Sequence, residues 1–192
     1  GLGRAPAMIA LAERLCEQGT FVLGSVTDVP FEENFFDVVT ASQLYCFLND
    51  VDRALEESWR VLKPGGRLVI LDTDWDSLIW NSTDPQLFQS IKAYMLERYA
   101  DAHIPRTLSN SLEKAGFIVK DRTSMPVVNW QLSSDTFSQQ LLNLIQPKSE
   151  HSDSVNQRLW QNWKSDLEAV AEKGEYLFSV NRYIFVAEKP NR

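Results

Sequence analysis

Two short apolar runs separated by one amphipathic stretch constrain this chain more than any other feature. Phe35-Phe36-Asp37-Val38-Val39-Thr40-Ala41 and Arg67-Leu68-Val69-Ile70-Leu71-Asp72 have strand length and little polar alternation, the pattern of strands buried on both faces of a sheet. Between them, Asp50 to Leu62 sets Val51, Ala54, Leu55, Trp59 and Leu62 on one side of a helix. Lys63-Pro64-Gly65-Gly66 closes it with a basic last turn followed by breakers. A buried strand, a helix and a second buried strand call for parallel pairing through a right-handed crossover.

The flanking segments extend the alternation. Pro6 to Gln18 reads as a helix with Ala7, Ile9, Ala10, Leu11 and Leu15 as its apolar stripe, stopped by Gly19. Thr20 to Val26 is short and β-rich, and Pro30 to Asn34 is a polar loop. In the second half, helices are predicted over Pro85–Tyr99, Arg106–Ala115, Phe137–Ile145 and Val155–Lys173, and strands over Phe117–Thr123 and Arg182–Glu188. The two late strands are expected to pair antiparallel at one edge of the sheet, with the helices between them as an insert.

Composition narrows the function. The 192 residues fit one domain, and 19 basic against 26 acidic residues leave a net charge of -7. That balance disfavours a nucleic-acid partner, which calls for a basic face. Cys16 and Cys46 make no disulfide framework. No segment approaches the ~20 apolar residues of a membrane span, and the first residues lack the pattern of a signal peptide. A cytoplasmic protein with no membrane partner is the expectation, because nothing in the sequence directs it elsewhere.

Three ordered blocks carry a resemblance. They are Asp28-Val29-Pro30-Phe31, Phe35 to Ser42, and Arg60-Val61-Leu62-Lys63-Pro64-Gly65-Gly66-Arg67-Leu68-Val69-Ile70-Leu71-Asp72. In order and spacing they resemble the second half of the nucleotide-binding core of class I S-adenosylmethionine-dependent methyltransferases, in the branch of the ubiquinone/menaquinone methyltransferases. The resemblance implies an α/β, Rossmann-like, mostly parallel sheet with an antiparallel C-terminal edge strand and a helical insert before it. It implies a methyltransferase core over residues 1–126 and 175–192, an insert or lid over 127–174, and S-adenosyl-L-methionine as cofactor. The family's glycine-rich turn has no counterpart here, so the core is expected to lack its first strand or strands. An upstream segment or a second copy in a homo-oligomer would complete the sheet, since a strand left out exposes an edge.

Ligands of open α/β sheets bind beyond the carboxyl ends of the strands. That rule selects four places. Gly1 to Ala5 resembles the end of the family's second strand, where an acid receives the cofactor ribose hydroxyls; Gly3 and Arg4 stand there instead. A competing alignment makes Gly1-Leu2-Gly3-Arg4 the tail of the glycine-rich turn. Ser25, Val26 and Thr27 occupy the adenine position, again without the usual acid. Ala41 and Ser42 would face the sulfonium, and Tyr45 and Phe47 either wall the transfer channel or pack in the core. Beyond Leu71, the carboxylates of Asp72, Asp74 and Asp76 can bind a substrate, act as base or simply be solvated.

Methyl transfer from a sulfonium is an in-line displacement on an activated electrophile, so the protein mostly positions donor and acceptor. A strong catalytic motif is therefore not required, and none is present. Asp74, His103 and Tyr45 are the catalytic candidates, and Asp74, Trp75 and Arg106 the substrate contacts. No metal is expected, because no histidine accompanies the Asp72–Asp76 carboxylates. Asn129, Asn181, Arg182 and Tyr183 are polar groups beside apolar segments that could line the lid. Trp75, Trp80, Trp130, Trp160 and Trp163 fit a pocket wall or a core equally. His151, in the polar loop Lys148 to Asn156, is assigned no chemistry.

Two other readings compete with methyl transfer to a small-molecule acceptor. A non-catalytic binding module on the same scaffold would account for Gly3 and Ser25 in place of acids. A nicotinamide-dependent oxidoreductase would use Gly1-x-Gly3, but that glycine pattern is incomplete and follows no strand.

Overall fold

The computed structural model describes residues 1–147 and 154–191. Its elements alternate from the start: β1 (Leu2–Gly3), α1 (Pro6–Leu15), β2 (Val22–Leu23), β3 (Phe36–Ser42), α2 (Val51–Val61) and β4 (Leu62–Trp80). They continue with α3 (Pro85–Leu96), α4 (Leu108–Lys114), β5 (Ile118–Asn129), α5 (Phe137–Ile145), α6 (Ser154–Glu172) and β6 (Phe178–Glu188). Short 3₁₀ turns cover Tyr45–Phe47 and Ile104–Arg106.

The main sheet runs β3-β4-β6-β5, with β3 and β4 parallel and β6 antiparallel to both its neighbours. The two apolar runs thus lie side by side and point the same way, in register from Val38 opposite Arg67 to Ser42 opposite Leu71. Helix α2 makes the crossover. Asp50 caps it by accepting the Arg53 N–H at 2.9 Å, and its buried face is Ala54, Leu55, Glu57, Ser58 and Val61. β1 and β2 form a separate parallel pair, Leu2 opposite Val22 and Gly3 opposite Leu23.

The structure corrects four expectations. The C-terminal strand is not at the edge: β6 is interior and β5 takes the edge. The segment between β5 and β6 is long enough to return the chain and insert β6 beside β4. Second, β4 is much longer than Arg67–Asp72. It starts at Leu62 and absorbs the Lys63-Pro64-Gly65-Gly66 breakers, because Gly65, at a φ of +76°, donates its N–H to Lys189. It also runs on to Trp80 past a register shift between Asp74 and Ile79. Third, β3 is not buried on both faces: Phe35 beside it and Val38 within it are 53% and 52% exposed. Among the described residues β3 pairs only on its β4 side. Fourth, the apolar stripe of α1 is open, and that helix buries no residue.

Side-chain alternation splits the core. On one face, Leu68 and Ile70 of β4 and Phe185 and Ala187 of β6 pack with Tyr45, Leu55, Leu108 and Leu112. On the other, Phe178 and Val180 of β6 pack under α3, α5 and α6 through Ile91, Leu142, Trp163 and Leu167. Trp75, Trp80, Trp160 and Trp163 all belong to this core, whereas Trp130 is 74% exposed.

One buried cation ties the C-terminal end to α2. Lys189 is 3% exposed, and its Nζ donates to the carbonyls of Trp59 at 2.9 Å and Leu62 at 2.7 Å and to Asn34 Oδ1 at 2.9 Å. The two carbonyls lie at the C-terminus of α2, where helix acceptors lack partners and positive charge is favoured. The ammonium also sits 3.8 Å from the centre of the Trp59 ring. Lys189→Met should therefore cost about 2–4 kcal/mol by leaving buried acceptors unsatisfied. Denaturant unfolding will show this as a lower midpoint at unchanged slope, and an unmoved midpoint would contradict the role.

Candidate active site

The tips of β3 and β4 are joined by a buried carboxylate. Leu68, Ile70 and Asp72 alternate onto the same sheet face, and Asp72 is fully buried at the end of that row. Its Oδ2 accepts the Tyr45 N–H at 2.9 Å and its Oδ1 the Thr73 N–H at 3.3 Å. Burial pushes the Asp72 carboxyl above the usual range against these donors. The bond to Tyr45 fixes the 3₁₀ turn that follows β3. Cys46 in that turn presents its carbonyl to the N–H groups of Ala100 at 2.9 Å and Asp101 at 3.1 Å. Asp101 accepts the His103 N–H at 2.7 Å, and Ala102 accepts that of Trp75 at 3.0 Å. One chain of bonds thus runs from β4 through the β3 turn to the loop carrying His103.

A second tie crosses the opposite sheet face. Gln43, at a φ of +52°, donates its N–H to the Leu71 carbonyl and directs its side-chain amide to Thr73 Oγ1 at 2.7 Å. Thr73 is fully buried.

The structure brings together three of the residues singled out in the sequence. Arg106 Nε meets Asp74 Oδ2 at 2.8 Å and its Nη2 meets Asp74 Oδ1 at 3.0 Å, the two-pronged geometry of a strong guanidinium–carboxylate pair. The same Nη2 reaches Asp76 Oδ2 at 3.0 Å, and Lys92 Nζ reaches Asp76 Oδ1 at 3.2 Å. His103 Nδ1 lies 3.5 Å from Asp74 Oδ1 and 3.7 Å from Asp76 Oδ2. Burial opposes the charge on Asp74, yet the bonds from Arg106 and the Asp76 N–H, with the nearby His103 ring, outweigh it and hold the carboxyl below its usual range. Lys92 and then Arg106 do the same for Asp76.

The other candidates are placed differently. Tyr45 is fully buried, its hydroxyl 3.4 Å from Ser58 Oγ, and burial pushes its phenol up to about 12. Trp75 is buried and stacks on Tyr99 at 5.0 Å. Phe47, which the sequence left between core and channel wall, is half-exposed, its ring centre 5.0 Å from that of Tyr99. Gly3 ends β1 just ahead of α1, between a strand and a helix as both alignments of the segment require. Arg4 beside it is exposed. Ser25, Val26 and Thr27 form a tight turn after β2, with Ser25 Oγ 2.8 Å from Thr27 Oγ1 and the Thr27 carbonyl held by Arg53 at 3.2 Å. Ala41 and Ser42 end β3, Ser42 open to solvent. His151 lies outside the described residues.

Sequence reasoning did not distinguish Asp72 from Asp74 and Asp76, because the two-residue alternation from Leu68 places all three on one face. It missed the Gln43–Thr73 tie, which has no local signature.

Comparison with known proteins places this geometry. Residues 1–70 match the family model described as a methyltransferase domain. An uncharacterized 37.1 kDa protein in transposon TN4556 of Streptomyces fradiae is 28% identical over 98% of this chain and 54% of its own length. Demethylmenaquinone methyltransferase of Thermotoga maritima is 38% identical over 38% of this chain and 31% of its own length. The chain thus spans about half or less of these relatives. Among solved structures, a Bacillus halodurans protein classed with the methyltransferases aligns at a TM-score of 0.67 and 17% identity, over 98% of this chain and 81% of that one. Phosphoethanolamine N-methyltransferase 2 of Haemonchus contortus, solved with phosphomonomethylethanolamine and S-adenosylhomocysteine, aligns at 0.55 and 20% identity, over 99% of this chain and 43% of that one.

The paired carboxylates give the site a pH signature. The folded chain holds the Asp74 and Asp76 protons more weakly than the unfolded chain does. Their contribution to stability is therefore complete above the ordinary aspartate value of about 4 and is lost as pH falls through the lower folded values. Arg106→Met should flatten the acid limb of a melting-temperature profile between about pH 5 and pH 2. Wild-type and variant curves that stay parallel over that window would show the pairs to be idle.

Proposed function

We infer that this chain, a class I methyltransferase by the family of its first 70 residues and by its fold, transfers a methyl group from S-adenosylmethionine to a small-molecule acceptor. The observation that carries the reading is the carboxyl end of β3, where Ser42 stands in register with Leu71 at the end of the parallel pairing with β4.

The residues at these tips fit a nucleoside held through main-chain groups. Gly3, Gly24, Ser25, Ala41 and Ser42 are small and neutral. A Cβ on Gly24 would come within 2.9 Å of Leu2 Cδ1, so that approach stays narrow. The hydroxyls of Ser25 and Thr27 and the backbone of Val26 would receive the adenine edge, Gly3 and Arg4 would lie by the ribose, and Ala41 and Ser42 by the methionine part. No carboxylate stands at the ribose or adenine positions, so hydrogen bonds there are weaker than charge-assisted ones. S-adenosylmethionine, when bound, supplies an electrophilic methyl group.

The remaining groups serve the acceptor. His103 takes a proton from the acceptor through the ring nitrogen not facing Asp74, as a base oriented by a carboxylate does. Asp74 and Asp76 orient that imidazole, and Arg106 and Lys92 keep both carboxylates charged and in place. Phe47 and Tyr99 offer electron-rich faces beside the β3 turn, suited to a sulfonium neighbour. Helices α5 and α6 act as the cover that excludes water from this end of the sheet. No helix among the described residues is long and apolar enough to cross a membrane.

Calorimetric titration with S-adenosylhomocysteine tests the reading without knowledge of the acceptor. Saturable heat with a dissociation constant of roughly 1–100 µM, about 5–8 kcal/mol, is expected. Ser42→Trp, a change at an exposed tip residue, should abolish that heat and leave the melting temperature unchanged. No heat at millimolar ligand, or full binding by the variant, would overturn the assignment.

A further inference from the structure

We propose that Arg182 anchors a carboxylate of an otherwise apolar acceptor, on the sheet face beneath α5. This rests on the methyl-transfer reading and narrows its substrate class. Arg182 lies on interior strand β6, in register with Thr73 of β4 and Met125 of β5. Directly opposed residues share a face, so its side chain rises on the same side as Thr73, two residues beyond the Leu71 tip. That is also the face of Val180 and Phe178, which carry the core under the insert. Phe137, the first residue of α5, lies with its ring centre 4.5 Å from the guanidinium and 5.8 Å from the ring of Phe178.

What sets Arg182 apart is the lack of an anion. Arg53, Arg60, Arg67 and Arg106 each face a carboxylate within 4.0 Å, and Arg98 donates to the Leu144 carbonyl. Arg4, Arg14 and Arg158 are exposed to water. Arg182 alone among the described arginines is half-buried with neither a carboxylate nor a hydrogen bond, and its Nε is buried without a partner. Burial acts on it unopposed and makes its charged form less favourable. A guanidinium withdrawn from water and left unpaired is costly. Thr73, opposite Arg182 on this face, is already taken by Gln43.

The ligand chemistry follows from the surroundings. A guanidinium presents a planar fork that matches a carboxylate at two points. Half-buried Phe137 and exposed Met125 suit an apolar body beside that group, whereas a phosphate dianion would need several more donors than this face provides. Asn181 and Tyr183 alternate to the opposite face and are not part of the site.

The Arg182 Nε–Hε resonance tests this directly. Titrating the protein with benzoate should move that resonance saturably, and benzamide, its neutral counterpart, should not move it. Arg182→Met should weaken benzoate binding at least about tenfold, or 1.4 kcal/mol, and leave S-adenosylhomocysteine affinity unchanged. Equal binding of benzoate and benzamide, a still resonance in the wild type, or displacement of benzoate by equimolar inorganic phosphate would each overturn the carboxylate assignment. Benzoate binding through Arg182 in a protein that shows no heat with S-adenosylhomocysteine would keep this site and overturn the methyl-transfer reading instead.

Discussion

The buried carboxylate of Asp72 is the constraint on which the site depends. It sits on β4 just past the stretch paired with β3, where an apolar row of alternating side chains ends. Burying an ionisable group unaided is unfavourable, and its carboxyl is raised accordingly. The compensation is the set of backbone donors that converge on it. One of them, the Tyr45 N–H, belongs to the turn after β3, which ties that turn to β4. The Cys46 carbonyl then passes the restraint to residues 100 and 101. A single polar group in the core thus determines where a loop far along the sequence places His103.

The long β4–β6 ribbon explains how one sheet serves two cores. Its lower half packs against α2 and α4, and its upper half is the floor of the insert. The candidate groups gather at the joint, over residues 72–76 and Arg182, next to where β4 slips register against β6. A bulge there turns Asp74 and Asp76 toward Arg106 while Thr73 and Arg182 stay on the other face. The Asp74–Asp76–Arg106 cluster and the unpaired guanidinium are therefore on opposite faces of the sheet.

Much of this was legible in the sequence, for identifiable reasons. The strands β3 and β4 and the crossover α2 declare themselves because apolar runs and helical spacing dominate the local energetics. Helix α5 falls on Phe137–Ile145, where Thr136 caps it. Asp74, His103 and Arg106 were each candidates, but only the fold brings Asp74 to Arg106 across 32 residues. The extension of β4 was hidden because Asp72-Thr73-Asp74-Trp75-Asp76 has the composition of a loop. Its charges are satisfied by partners remote in sequence, which no local pattern records. The openness of β3 and α1 was likewise hidden, since apolar periodicity tells which face seeks cover and not whether cover is present. The isolation of Arg182 is an absence of neighbours and exists only in three dimensions.

Amide hydrogen exchange in an Asp72→Asn variant examines the dependence most directly. An asparagine in that position keeps one acceptor oxygen and replaces the other with a donor, so at least one converging N–H is stranded. Exchange should then quicken together at Tyr45, Ala100, Asp101 and His103, by about tenfold or more, while Ile70 and Phe185 in the ladder below keep their wild-type rates. Faster exchange at Tyr45 alone, or no change at any of the four, would contradict the claim that this carboxylate sets the position of the His103 loop.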